Sequence, residues 1–285
     1  MRWTQFGCFS PIMQMHRQVF PNPNDLRQYP WGYGNEALQN YKFFARLHTA
    51  LFPYIYTYIK ESSITGIPIM RPLVLLHQDD PRTFSIEHTY RFGNEFLVAP
   101  VVEPTKPGAV TQRTVYLPEG NWYDFWTQEK HTGKQDFLWR NSDQQKFPLF
   151  VREGGIVPML LNLPDTLCEA NYVNTPKVQT PDAGLQFLVY PASSLSGFTL
   201  FDGTQLTCKL NGAATTLMLS SAPRPVLLKI LGGKPAAVTR DGVALAEQPA
   251  PVAFDAATIA WHHDAGAGFV FVKFQHSGGV AQIAF

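Results

Sequence analysis

Four clusters of reactive side chains stand out in the 285-residue chain. Asp79-Asp80 is a carboxylate pair, but adjacent loop residues cannot flank a bond from two sides as two-carboxylate catalysis requires, and with Pro81 the pair reads as a turn. His262-His263-Asp264 has a metal-ligand composition. Neighbouring residues of a strand point to opposite faces and cannot readily share one ion, so a surface turn is expected there. Cys8, Cys168 and Cys208 are odd in number, far apart and in no CxxC or Cys/His spacing, which excludes a disulfide framework and a structural zinc and predicts buried free thiols. Glu153-Gly154-Gly155 lacks the glycine pattern of a phosphate loop. No metal and no cofactor is therefore expected.

The charge balance excludes further classes. Lys+Arg 23 against Asp+Glu 22 leaves +1, which is no electrostatic footprint for nucleic acid or an anionic membrane. The longest apolar stretch, Phe96 to Val102, is far too short to span a bilayer, and Met1-Arg2-Trp3 leads into no secretory signal. Free cysteines and the lack of an Asn-x-Ser/Thr sequon favour a cytoplasmic setting. Charged residues at only 16% with aromatics at 13% predict many turns, short strands and stacking surfaces.

Those surfaces need elements to position them. Apolar residues recur at Leu38, Tyr41, Ala45, His48, Phe52, Ile55 and Ile59, the spacing of a helix with one buried face. Asn35 is a suitable cap, Gly66 a suitable terminator, and Pro53 predicts a kink or break. Phe9–Met15 before the helix and Ile67–Leu76 after it read as strands. Strand, helix and strand make a parallel unit, and parallel strands need neighbours that this chain does not offer. From residue 96 onward the signals are short strands separated by Gly, Asn-Gly and Asp-Gly turns, with no convincing helix, as in antiparallel sandwiches. A polar stretch over 162–183 is the candidate boundary between two β domains.

Several phrases now fall in order: Arg2-Trp-Thr-Gln-Phe-Gly-Cys-Phe-Ser-Pro11, Met15-His16, Pro30-Trp31 with Tyr33-Gly-Asn-Glu-Ala37, Leu51-Phe-Pro-Tyr-Ile-Tyr56 and Met70-Arg-Pro-Leu73. They continue with Phe96-Leu-Val-Ala-Pro-Val101, Tyr116-Leu-Pro-Glu-Gly-Asn-Trp-Tyr-Asp-Phe-Trp126 and Pro148-Leu-Phe-Val-Arg-Glu-Gly-Gly-Ile-Val-Pro-Met159. Together they resemble the C-terminal part of glycoside hydrolase family 31, the α-glucosidase and α-xylosidase family. Beyond residue 159 the likeness is looser, through Phe187-Leu-Val-Tyr-Pro191 and Phe198-Thr-Leu-Phe-Asp202.

The resemblance implies the C-terminal strands and helices of a (β/α)8 TIM barrel over 1–95, a proximal β-sandwich domain over 96–180 and a distal one over 181–285. It implies retaining hydrolysis of α-linked glucosides or related glycosides by two aspartates that precede the Arg2-Trp3 motif, so the chain alone is expected to be inactive. Its partners would be the carbohydrate substrate and the missing N-terminal barrel portion. His16 matches the family histidine that hydrogen-bonds the sugar in the cleavage subsite, at the C-terminal end of a barrel strand where such sites lie. Gln14 departs from the arginine usual two residues earlier, which an amide cannot replace as a charged fork. Trp31, with Tyr33, either shapes a sugar subsite by stacking or packs as a large buried ring. Arg71 reads as an ion-paired structural arginine, and Trp122 and Trp126 as packing residues. The rival expectations are a non-catalytic carbohydrate-binding or structural β module, and a truncated gene product.

Overall fold

A computed structural model describes residues 1–15, 29–104, 109–143, 145–163 and 184–285. The chain forms two compact units, one of Met1–His48 with Glu61–Val151 and the other of Thr49–Lys60 with Arg152–Phe285.

The helical part comprises α1 (Arg2–Cys8), α2 (Asn35–Ala50) and α3 (Phe52–Thr65). The break expected near Pro53 lies at Leu51, which puts the proline in the first turn of α3, where its missing N–H costs no bond. That break resets the helical phase. Tyr54, Ile55 and Tyr58 are buried in α3 while Ile59 is exposed, so the single continuous stripe read from the sequence is two stripes. Asn35 is the first residue of α2 and not its cap, since Gly34, at φ +91°, offers the carbonyl that accepts from the Leu38 N–H. Gly66, at φ +76°, closes α3 by donating to the Ser62 carbonyl.

Both flanking strands are corrected. Phe9–Met15 forms no ladder among the described residues, because a parallel strand exists only against neighbours. Within Ile67–Leu76 only Met70–Pro72 is extended, as β1, and it pairs antiparallel with Tyr90–Phe92. Pro72 brings no N–H to carry the ladder on, and Leu73–Leu76 coils into a single turn, α4. Arg71 is 2% exposed and donates to Glu61 at 3.0 Å, Asn94 at 2.6 Å and the Pro68 carbonyl at 2.8 Å, the structural pairing read from the sequence.

The first unit continues through β2 (Tyr90–Phe92), β3 (Phe96–Val98), β4 (Thr111–Leu117), β5 (Asn121–Asp124), β6 (Lys130–Thr132), β7 (Gln135–Asn141) and β8 (Leu149–Arg152). Its main sheet has the order β1-β2-β3-β8-β5-β6, and β4 pairs with β7 as a separate ribbon. Leu97, Val115, Leu117, Trp122, Trp139 and Phe150 pack together between them. Three tryptophans of this β layer each find a partner for the indole N–H: Trp122 the Pro118 carbonyl at 2.9 Å, Trp126 the Phe147 carbonyl at 2.7 Å and Trp139 Asp124 at 3.1 Å.

The second unit holds β9 (Ile156–Leu160), β10 (Leu185–Val189), β11 (Ser196–Thr199), β12 (Gln205–Asn211), β13 (Ala214–Ser221), β14 (Arg224–Leu231), β15 (Thr239–Arg240), β16 (Val243–Ala244), α5 (Pro251–Ala256), β17 (Ala260–Asp264), β18 (Phe269–His276) and β19 (Gly279–Ala284). They form sheets ordered β17-β18-β14-β10-β9 and β11-β12-β13-β19-β15-β16. The β9–β10 ladder links the segments expected as 96–180 and 181–285, and residues 164–183 of the expected boundary lie outside the described residues. The turn signals act as read: Gly212 turns at φ +63° between β12 and β13, and Asp241-Gly242, both at positive φ, form the two-residue link of β15 to β16. Two readings are corrected. β10 pairs parallel to β14, and α5 is a short helix, one that Pro251 can start because its fixed φ suits a first turn.

Among the described residues of the first unit, His48 and His77 are held below the usual imidazole range and tie its stability to pH. Burial holds His48 below the usual imidazole range although its Nδ1–H donates to the Cys8 carbonyl at 2.9 Å. His77 is lowered by burial and then by Arg91, whose Nη1 lies 3.4 Å from its Nε2, against opposing pulls from Asp80 and Glu119. Both imidazoles are favoured neutral in the fold, so the unfolded chain binds more protons below the ordinary value of 6.5, and stability falls as pH falls. Thermal melts between about pH 8 and about pH 5 should show a declining midpoint, with a shallower decline in His77→Gln. A midpoint that rises on acidification contradicts this assignment.

Candidate functional site

The described part of the site is built on Phe9. This fully buried side chain meets Phe92, Phe96 and Phe147 edge-on at centroid distances of 5.4 to 5.9 Å. Its carbonyl accepts from the Tyr90 hydroxyl at 2.9 Å, and the preceding Cys8 carbonyl is held by His48. The chain therefore leaves α1 from a fixed point, and Ser10 secures the exit by donating to the Phe6 carbonyl at 3.0 Å. Residues 10–15 run from there to His16, which lies outside the described residues.

The chain returns at Tyr29 through a 3-10 turn, Pro30–Tyr33, opened by proline and closed by Gly34. Trp31 lies flat on Tyr29, with ring centroids 4.5 Å apart and planes within 5°. Trp31 is 55% exposed and Tyr33 63% exposed. Stacking fixes one face of the indole and leaves the other open, an aromatic surface suited to the C–H face of a ring ligand. Tyr29 was not among the residues singled out from sequence; an aromatic two positions from Trp31 across a turn-forming proline is the signal that finds it.

A cleft of about 990 Å³ opens beside these residues, with Phe6, Met13, Gln14, Met15, Pro30 and Tyr33 in its wall. Both flanks of the segment that carries His16 thus face one space. Trp3 and Ile12 are 84% and 72% exposed, so the wall is apolar and open. No Asp or Glu lines this cleft among the described residues. It can hold and orient an apolar or ring-shaped surface, and among the described residues it presents no carboxylate or imidazole.

The other reactive clusters separate from it. Asp80 caps the 3-10 turn Pro81–Ser85 by accepting from the Arg82 N–H at 3.2 Å, the turn expected of Asp79-Asp80. His262-His263-Asp264 is a correction: it is the end of β17 and not a surface turn, with five residues in register against β18 and His262 only 8% exposed. His262 Nδ1 lies 2.8 Å from the Gln248 carbonyl, and the described residues contain no cluster of three metal-ligating side chains. Cys8 and Cys208 are buried and free as expected, burial raising the first thiol well above its usual range and the second to about 12, while Cys168 lies outside the described residues.

Comparison with known proteins adds the ancestry of these parts. Residues 1–58 match the family model described as the glycosyl hydrolases family 31 TIM-barrel domain, and residues 66–157 that of the glycosyl hydrolase family 31 C-terminal domain, together just over half the chain. The chain is 33% identical over 158 residues to alpha-glucosidase 2 of Bacillus thermoamyloliquefaciens, covering 55% of this chain and 19% of that protein. It is 27% identical over 304 aligned residues to an isomaltosyltransferase of Sporosarcina globispora, covering 99% of this chain and 26% of that one. Among solved structures, a Flavobacterium johnsoniae dextranase complexed with isomaltotriose superimposes with a TM-score of 0.83 at 28% identity, over 99% of this chain and 36% of that one. The chain spans about a fifth to a third of the length of these relatives. Its architecture is the end of a TIM barrel followed by β-sandwich layers.

Proposed function

Because the chain belongs to glycoside hydrolase family 31, we propose that it is the C-terminal part of a retaining α-glycosidase acting on α-linked gluco-oligosaccharides or related glycosides. The observation that carries this reading is the ordered match through barrel end and C-terminal domain, joined to a cleft that both flanks of the His16 segment face. The likenesses to an isomaltosyltransferase and to a dextranase, which run over nearly all of this chain though over only 26% and 36% of those proteins, support glucose-based oligosaccharides as the substrate class.

In this mechanism the chain positions and the barrel portion upstream reacts. His16 hydrogen-bonds a hydroxyl of the sugar in the cleavage subsite, where a contact that tightens as the ring flattens toward the oxocarbenium ion favours the transition state over the bound substrate. Trp31 offers its open face to a neighbouring sugar ring. Two aspartates of the upstream portion act as nucleophile and as acid/base, about 5–5.5 Å apart, so that a glycosyl-enzyme forms and water then releases the sugar with its configuration retained.

The test has two arms. The purified 285-residue chain should release no nitrophenol from a nitrophenyl α-glucoside, whereas the product of the whole open reading frame should release it and give the α-anomer first by NMR. Turnover by the 285-residue chain that His16→Ala abolishes overturns the division of labour, and a β-anomer released first overturns retention.

A further inference from the structure

The first unit carries a second concavity on its β layer. A groove of about 350 Å³ lies between loop Ser85–Thr89 and the outer face of the β4–β7 ribbon, within the size range of small-ligand sites. In the ribbon Tyr116 stands opposite Asp136, and Thr114 shares their face two residues along. Arg82 Nη2 donates to both oxygens of Asp136, at 2.7 and 2.8 Å, while its guanidinium lies 4.2 Å from the centre of the Tyr116 ring. The Tyr116 hydroxyl is in turn held by Asp80. Arg113 ties loop to ribbon by donating to the His88 carbonyl at 2.6 Å and the Thr89 hydroxyl at 3.1 Å.

Arg82 and Asp136 remain about half exposed, and an exposed ion pair adds little to stability. What the arrangement provides is order. A long arginine is fixed in advance by one nitrogen bridging both carboxylate oxygens and by a ring face, so little side-chain freedom is left to lose on binding. Asp136 keeps a second lone pair on each oxygen, and Arg82 keeps N–H groups beyond those of Nη2. A donor edge and an acceptor edge thus stand side by side, the complement of two neighbouring hydroxyls, each of which donates one bond and accepts another. The four ionised side chains of the wall, Arg82, Arg113, Glu87 and Asp136, cancel in charge, which favours a neutral polar ligand over an ion.

We propose that this groove is an accessory binding site for a neutral sugar unit, in which the Arg82–Asp136 pair reads a vicinal diol. It would hold a distant part of a long substrate on the β layer. The choice of a glucose-based probe rests on the proposed function; the site itself does not.

The test is NMR titration of the isotope-labelled 285-residue chain with isomaltotriose, and separately with inorganic sulfate. Isomaltotriose should give saturable shifts at the Arg82 side-chain N–H and the Thr114 amide. Asp136→Ala and Thr114→Ala, both at exposed positions, should weaken binding, the former roughly tenfold, as expected for loss of a charge-assisted hydrogen bond. Gln112→Ala, on the same strand but outside the groove, should leave it unchanged. Lack of saturable shifts, shifts indifferent to both groove variants, or saturation by sulfate in place of the sugar overturns the proposal. If the whole enzyme hydrolyses α-glucosides while the groove stays silent, only the groove falls; if the groove saturates and the enzyme lacks that activity, only the glycosidase reading falls.

Discussion

Replacing His16 by alanine in the complete enzyme is expected to lower kcat/KM for an aryl α-glucoside by about 10²–10³-fold, the loss that accompanies removal of one donor made for the transition state. The expectation follows from position. The chain leaves the core at Phe9, whose ring and carbonyl are both held, and reaches residue 16 after a short run beside the cleft. The drop should reside mainly in kcat, because a contact that strengthens with ring flattening is worth more in the transition state than in the bound substrate. A rise in KM with unchanged kcat would mean uniform binding instead, and a loss smaller than about threefold would remove His16 from the cleavage subsite altogether. Melting the variant beside the parent separates either result from unfolding.

Trp122→Ala should be the most damaging single change in the β layers, costing about 3–5 kcal/mol of stability. The indole is 1% exposed, packs with Leu97, Leu117 and Phe150, donates to the Pro118 carbonyl at 2.9 Å and lies under the Arg91 guanidinium at 4.7 Å. Truncation leaves a large void, an unpaired carbonyl and an arginine without its ring. Trp122→Phe retains most of the volume and should lose markedly less. Denaturant titration followed by far-UV circular dichroism reads both, and near-equal midpoints for parent and alanine variant would contradict the packing assigned here. The same residue shows why the motif Tyr116 to Trp126 reads so clearly in sequence: its tryptophans fill a core, and each must also find a partner for its N–H.

Much of the fold was legible because local rules suffice for it. Gly66 closes α3, Asp241-Gly242 makes a tight hairpin and Pro53 forces the break beside it, since each depends on the φ angles and donors of one or two residues. The role of Arg71 was legible for a similar reason, as a buried guanidinium must be paired. What failed were readings that depend on partners. Met70–Pro72 was legible as extended but not as antiparallel, and the phase of the apolar stripe in α3 turned on where the chain broke. His262 and His263 looked polar enough for a turn, yet ladder bonds to β18 and a carbonyl from Gln248 absorb them into a sheet. The stack of Trp31 on Tyr29 and the ion pair of Arg82 with Asp136 join residues whose proximity depends on one turn in the first case and on a separation of 54 positions in the second.

By itself the sequence determined the family, the turns, the break between the two long helices and the paired state of Arg71, because motifs and backbone preferences are carried by the residues that express them. The tertiary structure alone decided which strands pair, that the cleft lined by Met13, Gln14, Met15 and Tyr33 bears no carboxylate among its described residues, and that the β4–β7 ribbon presents an ordered donor and acceptor edge. Pairing, cavities and the facing of distant charges are properties of contacts between residues remote in the chain, and these exist only once the elements have packed.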